Sequence, residues 1–202
     1  MKRGSLIVLS GPSGVGKGTV RSIVFAKDAS FVYSVSATSR QMRENETEGT
    51  DYFFVSKEAF ERMIAADELL EYTCYNGNYY GTPRAYIEKC RNEGKNVVLE
   101  IETEGAFHIR EKCADALLIF IAPERKEELY DRLRGRGTNT EEDIENRVRI
   151  AEKEMRLAPL YDYVVVNYDG KREQCADDIL AVVRAAACRP AAMTGFLRAL
   201  TE

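Results

Sequence analysis

The chain has 202 residues, is 45% hydrophobic and carries a formal charge of −4, which suffices for one sizeable core and argues against a nucleic-acid binder, whose footprint is a basic stripe. No stretch of about 18 apolar residues is present to cross a membrane, and Met1-Lys2-Arg3-Gly4 runs directly into a strand, leaving no room for a secretory leader. A single-domain cytoplasmic protein with neither nucleic-acid nor membrane partners is expected; monomer and homo-oligomer stay equally open.

The apolar run Leu6-Ile7-Val8-Leu9 predicts a strand, and Lys17 to about Ala26 predicts a helix. Between them lie Gly11-Pro12-Ser13-Gly14-Val15-Gly16-Lys17-Gly18-Thr19. Strand, glycine-rich turn and helix in this order make a phosphate loop: glycines free the backbone to turn N–H groups inward, the helix points its positive end at the same spot, and Lys17 reaches the β and γ phosphates of a nucleotide. Gly18 stands where a serine or threonine hydroxyl would ligate Mg²⁺, with Thr19 one residue late. A metal is then held more by phosphates, water and a distant carboxylate than by the loop.

Phe31 to Val35 reads as a strand, and the charged stretch Ser36 to Thr50 as an irregular segment too long for a mere connection. Ser56 caps a helix through Phe60, Met63 and Ile64, with Glu58 in its first turn. Leu69 to Tyr75 reads as a strand ending in the turn Asn76-Gly77-Asn78, after which Thr82-Pro83 starts a helix that Gly94 stops. Val97–Leu99, Leu117–Ile121 and Val164–Val166 are apolar runs of the kind buried on both faces. Pro123 begins a helix ending near Arg134. Gly135-Arg136-Gly137-Thr138 interrupts it, and Thr140 with Asp143 opens a long helix as a capping box, the pair of helices forming a lid. Alternating strands and helices imply right-handed βαβ units and an α/β fold with a parallel sheet covered on both sides, its ligands at the carboxyl ends of the strands. The tail from Cys188 to Glu202 carries no motif.

Cys74, Cys90, Cys113, Cys175 and Cys188 are odd in number, widely spaced and never in C-x-x-C, so inert thiols are expected. The single histidine, His108, reads as a helix-surface residue and leaves no material for a histidine metal cluster or a Ser-His-Asp triad.

The phosphate loop, Ser34-Val35-Ser36-Ala37-Thr38-Ser39-Arg40, the Gly49 to Ser56 run, Gly77-Asn78-Tyr79-Tyr80-Gly81-Thr82 and Gly135-Arg136-Gly137-Thr138 occur in this order. Together they resemble the guanylate kinase family, a branch of the P-loop nucleoside monophosphate kinases, over roughly residues 4 to 185. The resemblance implies a parallel five-stranded core (1–35, 83–133 and 158–187), a small mixed α/β GMP-binding insert at about 36–82, and a helical lid at about 134–157. It implies that Arg40, Arg43, Tyr52 and Tyr80 hold the monophosphate, a role suited to guanidinium forks and phenol donors. Base selection falls to Glu71, Ser36, Thr82 and Glu102, because an ionised carboxylate offers only acceptors to guanine's paired N1–H and N2–H₂ donors. Without the resemblance, Glu71 reads as an exposed carboxylate at the end of an element, and Arg40 and Arg43 as a solvated charged loop.

Glu100 takes the place of an acid near Mg²⁺ and its waters, and Arg132, Arg136 and Arg147 that of arginines closing over the triphosphate; Arg134 and Arg149 read as helix-surface charge. The implied reaction is ATP + GMP giving ADP + GDP by in-line transfer without a strong general base. Two further departures from the family pattern stand out. Gln41-Met42 replaces a proline-containing spacing, and Glu100-Ile101-Glu102-Thr103-Glu104-Gly105 stands where most members have Asp-Ile-Asp followed by x-Gln-Gly. The alternatives are an adenylate or thymidylate kinase, which shares Gly18-Thr19 but not the Glu71 and Tyr80 blocks, and a non-catalytic guanylate-kinase-like module, which typically lacks an intact loop.

Overall fold

The computed structural model describes residues 3–129 and 141–201, residues 141–144 by backbone only. Its centre is β1 (Leu6–Ser10), buried at all five positions, as a strand covered on both faces must be. It lies in an all-parallel sheet with β2 (Phe31–Tyr33), β7 (Asn96–Glu100), β8 (Leu117–Pro123) and β9 (Tyr163–Asn167), in the order β2-β7-β1-β8-β9. The expected five-stranded α/β core is therefore present. Non-consecutive neighbours require crossovers, and helices supply them. A second, mixed sheet contains β3 (Ser36–Thr38), β4 (Tyr52–Phe54), β5 (Leu69–Tyr75) and β6 (Asn78–Pro83) in the order β4-β3-β6-β5.

The chain divides into two compact units. One comprises residues 7–29, 100–103 and 117–202. Here α1 (Lys17–Lys27) packs on α6 (Arg172–Ala186), which buries Cys175, Ala176, Ile179, Leu180 and Val183. Helix α5 (Glu141–Met155) buries Val148 and Ala151. A short helix α7 (Thr194–Ala199) ends the chain with Phe196 and Leu200 exposed. Among the described residues no single helix is long and apolar enough to cross a membrane.

The other unit comprises residues 1–6, 30–99 and 104–116 and includes α2 (Lys57–Ala65), α3 (Arg84–Asn92) and α4 (Thr103–Lys112), though Thr103 itself belongs with the first unit. The second sheet has its own core, in which Ala37, Phe60 and Leu69 pack with Phe53, Val55, Met63, Ile64 and Tyr79. Ser56 caps α2 as expected, its hydroxyl accepting from Ala59 N–H at 3.1 Å. Gly94, at φ 80°, ends α3.

Three boundaries differ from the sequence-based expectation. The strand expected through Val35 stops at Tyr33, and Ser36–Thr38 changes sheet: Ser34 N–H makes a last bond to Val98, after which Ser36 aligns with Tyr52 and Thr38 with Tyr80. Thr82 does not cap α3. It lies in β6 and its hydroxyl donates to Glu71 instead. Pro123 ends β8, in register with Asn167, and does not start a helix; a proline without an N–H is tolerated at such a strand end. The Arg134 helix end, the 135–138 break and Thr140 of the capping box lie outside the described residues, as do Arg132 and Arg136.

Gly81 shows how tightly the second sheet is built. A Cβ there would sit 2.8 Å from the Glu71 carbonyl oxygen, 2.9 Å from Tyr72 Cβ and 3.0 Å from Phe60 Cζ. Gly81→Ala is expected to destabilise by about 1–3 kcal/mol, as overpacking does, measured as a lower urea midpoint at unchanged slope.

Candidate functional site

The phosphate loop is held in shape from below and from the side. Gly11, Gly14 and Gly16 adopt φ of 147°, 87° and 98°, and a Cβ on Gly11 would sit 2.2 Å from the Ile121 carbonyl oxygen of β8, so only glycine fits there. Val15 N–H bonds to the Pro12 carbonyl at 3.2 Å, and buried Asn167 donates to the Val15 carbonyl at 2.7 Å. Lys17 Nζ donates to the Gly11 and Pro12 carbonyls at 2.5 and 3.3 Å. Ser13, Gly14, Gly16, Lys17, Gly18, Thr19 and Glu100 line a cavity of about 330 Å³, a fit for a polyphosphate at a helix N-terminus. A Cβ on Gly18 would be 3.8 Å from both Glu100 carboxylate oxygens, so the absent hydroxyl is not a steric necessity.

Glu100 is the last residue of β7 and pairs with Arg21, Nη1 to Oε2 at 2.9 Å. Its side chain lines the cavity. Glu102 is exposed and belongs to the same unit as the loop. Glu154 is a half-buried acid of α5. Burial holds its carboxyl above the usual carboxylate range, with Lys17 lowering it and Glu102 raising it. Arg147 is half-buried on the same helix.

The second unit gathers the other expected residues. Ser36 and Tyr52 are register partners on β3 and β4. Arg40 donates to Glu46 Oε1 at 2.6 Å and to the Gln41 carbonyl at 2.7 Å, and stacks 5.6 Å from the Tyr52 ring centroid. Tyr52 and Tyr80 meet edge to face at 5.9 Å. The Arg43 side chain is exposed while its backbone N–H donates to Glu46 Oε2 at 2.8 Å. Bonds from Arg40 and then Arg43 push the Glu46 carboxyl below its ordinary value.

Glu71 owes its position to a β-bulge. From Tyr75 back to Tyr72 the strand pairs regularly with Asn78 to Gly81, but Leu69 pairs with Pro83. Leu70 and Glu71 together therefore oppose Thr82, which re-aims the glutamate. Thr82 Oγ1 donates to Glu71 Oε1 at 2.6 Å. Burial raises the Glu71 carboxyl above its ordinary value, with Thr82 and the nearby, exposed His108 pulling it down.

A family model described as guanylate kinase matches residues 3–180. The guanylate kinases of Bacillus cereus and Bacillus anthracis are each 47% identical over 202 residues, covering 100% of this chain and 98% of theirs. The chain belongs to the guanylate kinase family. Among solved structures, the guanylate kinase from Anaplasma phagocytophilum superposes with a TM-score of 0.68 at 34% identity, over 93% of this chain and 88% of its own.

The resemblance to guanylate kinases pointed to Lys17, Arg40, Tyr52, Glu71, Tyr80 and Thr82, but two acids escaped it: Glu46, which holds Arg40, and Glu154, whose charge is felt at Lys17. Glu46 lies within six residues of both Arg40 and Arg43, a charge spacing that could have flagged it. Glu154 follows buried Ala151 by three residues, a position where helical periodicity calls for an apolar side chain; that mismatch was its only signal.

Because the folded pKa of Glu71 is raised, the native state holds that proton more tightly than the unfolded chain, and the group's contribution to stability falls as pH rises through the folded value. Gln at 71 keeps an acceptor for Thr82 and removes an ionisable group from a half-buried position. Glu71→Gln is expected to leave the thermal midpoint at neutral pH unchanged or raised, by calorimetry.

Proposed function

We propose that the chain phosphorylates GMP with ATP, giving ADP and GDP, with ATP on the loop Gly11–Thr19 and GMP on the unit that carries Arg40 and Glu71. The observation that carries the GMP assignment is the grouping of Arg40 with Tyr52 and Tyr80, and of Glu71 with Thr82, in one small unit. An arginine flanked by two phenols suits a monophosphate. A half-buried carboxylate reads guanine's N1–H and N2–H₂ and meets an acceptor at adenine N1, so the site rejects AMP. Ser36, Arg43 and Glu102 complete this set in the proposal. Arg43 adds charge at the phosphate, and Ser36 and Glu102 add polar contacts to the base.

At the loop, backbone N–H groups and Lys17 take up the phosphate charge, with Arg147 and, beyond the described residues, Arg132 and Arg136 closing over the transferring group. A GMP phosphate oxygen is already ionised near neutral pH, so transfer needs placement and charge neutralisation more than a base. Nucleotide kinases generally use Mg²⁺ with ATP. No group of three metal-ligating side chains occurs among the described residues, which supports a metal held by phosphates and water, with Glu100 as the acid beside them. When bound, the ion would neutralise phosphate charge. All five cysteines are free, which supports a reducing, cytoplasmic setting.

Lys17→Ala is expected to fold but to lose at least about a hundredfold in kcat, the scale of removing a preorganised charge-stabilising donor; a coupled ADP-release assay with matched thermal midpoints measures it. Glu71→Gln should lower kcat/KM for GMP by at least about tenfold, the equivalent of one charge-assisted bond. It should also narrow the preference for GMP over AMP, with ATP affinity unchanged. An unaltered GMP to AMP ratio would remove Glu71 as the base reader.

A further inference from the structure

From Gln41 to Asp51 every residue is exposed except Glu46, and what draws that side chain inward is a pair of bonds. Its Oε1 accepts from Arg40 Nη2 at 2.6 Å, in a contact where each side chain is only 16% exposed, and its Oε2 accepts from the Arg43 backbone N–H at 2.8 Å. Glu46 N–H in turn donates to the Arg43 carbonyl at 3.1 Å. One carboxylate thus grips a side chain at 40 and the main chain at 43, and closes the segment between them into a ring. Aromatic rings fix Arg40 as well, its guanidinium lying 5.6 Å from the Tyr52 centroid and 5.8 Å from that of Phe54.

Resting on the assignment of this unit to GMP, we infer that Glu46 is a positioning residue for the monophosphate: it holds Arg40 by the side chain and Arg43 by the backbone, so that both arginines are in place before GMP arrives. The segment needs such a tie. An arginine side chain has many rotamers to lose, and Gln41-Met42 offers no proline to stiffen the backbone between the two cations. Without the carboxylate, the cost of ordering them would fall on GMP binding. The opposite role, in which Glu46 competes with phosphate for Arg40, fits the donor count less well. A guanidinium has five N–H groups, Glu46 and the Gln41 carbonyl engage Nη2 and Nη1, and Arg43 gives Glu46 its backbone and not its guanidinium. A phosphate can therefore join both arginines with the carboxylate still in place.

The test is a double-mutant cycle on the full chain, read by steady-state kinetics in a coupled ADP-release assay with thermal midpoints alongside. Glu46→Gln keeps the size of the side chain but replaces one of its two acceptors with a donor. It should raise KM for GMP about five- to tenfold, the factor expected when the binding-ready arrangement falls to between a tenth and a fifth of the molecules. Within about twofold, kcat at saturating GMP and KM for ATP should stay at the parent values, since binding and not chemistry is affected. In an Arg40→Ala background only the Arg43 backbone bond is left to lose, and the same substitution should lower kcat/KM for GMP by about twofold or less. Glu44→Gln, the same charge change at an exposed position of this loop, should stay within about twofold of the parent. An equal loss in both backgrounds overturns the inference, as does a lowered thermal midpoint with KM for GMP unmoved. Tighter GMP binding by Glu46→Gln overturns it too, because Glu46 would then be a competitor of the phosphate. Should Glu46→Gln fail to fold, Glu46→Asp is used; it keeps the charge but is one methylene too short to take both partners, and an unmoved KM for GMP in that variant counts equally against the inference. Loss of the GMP assignment itself would look different: the parent would show no GMP-dependent ADP release, or Arg40→Ala would leave KM for GMP unaltered.

Discussion

The contact that the rest of the nucleotide site depends on is the passage of Gly11 against the Ile121 carbonyl of β8, so close that a single added carbon would lie 2.2 Å from that oxygen. It welds the start of the phosphate loop to a strand that is itself buried, with β1 beside it and every position of the two strands buried except Ala122. From that anchor the loop has few ways to go. Asn167, at the end of β9, fixes Val15, and Lys17 folds back on the first two carbonyls. The backbone N–H groups thus keep a concave arrangement without a ligand, and little reorganisation is needed when charge arrives.

The second unit solves a different problem, that of putting a carboxyl group in a small sheet next to an apolar core. The core of Ala37, Phe60 and Leu69 needs close packing, and Gly81 allows it. In β5 an extra residue appears as the bulge at Leu70 and Glu71, which re-aims the acid. Glu46 does comparable work at the other end, where it takes Arg40 by its side chain and Arg43 by its backbone and so sets the loop between them.

Much of the architecture is legible in the sequence because it rests on local rules. Continuous apolar runs gave β1, β8 and β9, Ser56 and Gly94 marked helix ends, and the glycine spacing marked the loop. The failures share one cause, which is that a long-range partner overrode a local preference. Thr82 before Pro83 looks like a helix cap until Glu71, eleven residues back, claims its hydroxyl. Pro123 looks like a helix start until Asn167 is found in register beside it. Ser36 begins a new strand only because Tyr52 and β6 are there to pair with β3. The positions of Glu46 and Glu154 are likewise products of folding back, visible in sequence only as charges at unexpected spacings.

The half-buried carboxylate of Glu71 also bears on how this chain can change over generations. Glutamine differs from it by one atom, is reachable by a single nucleotide change, and would satisfy Thr82 without an ionised group in a partly dry pocket. The fold itself therefore sets no barrier to that replacement. Whatever keeps an acid at 71 acts through something other than the stability of this sheet.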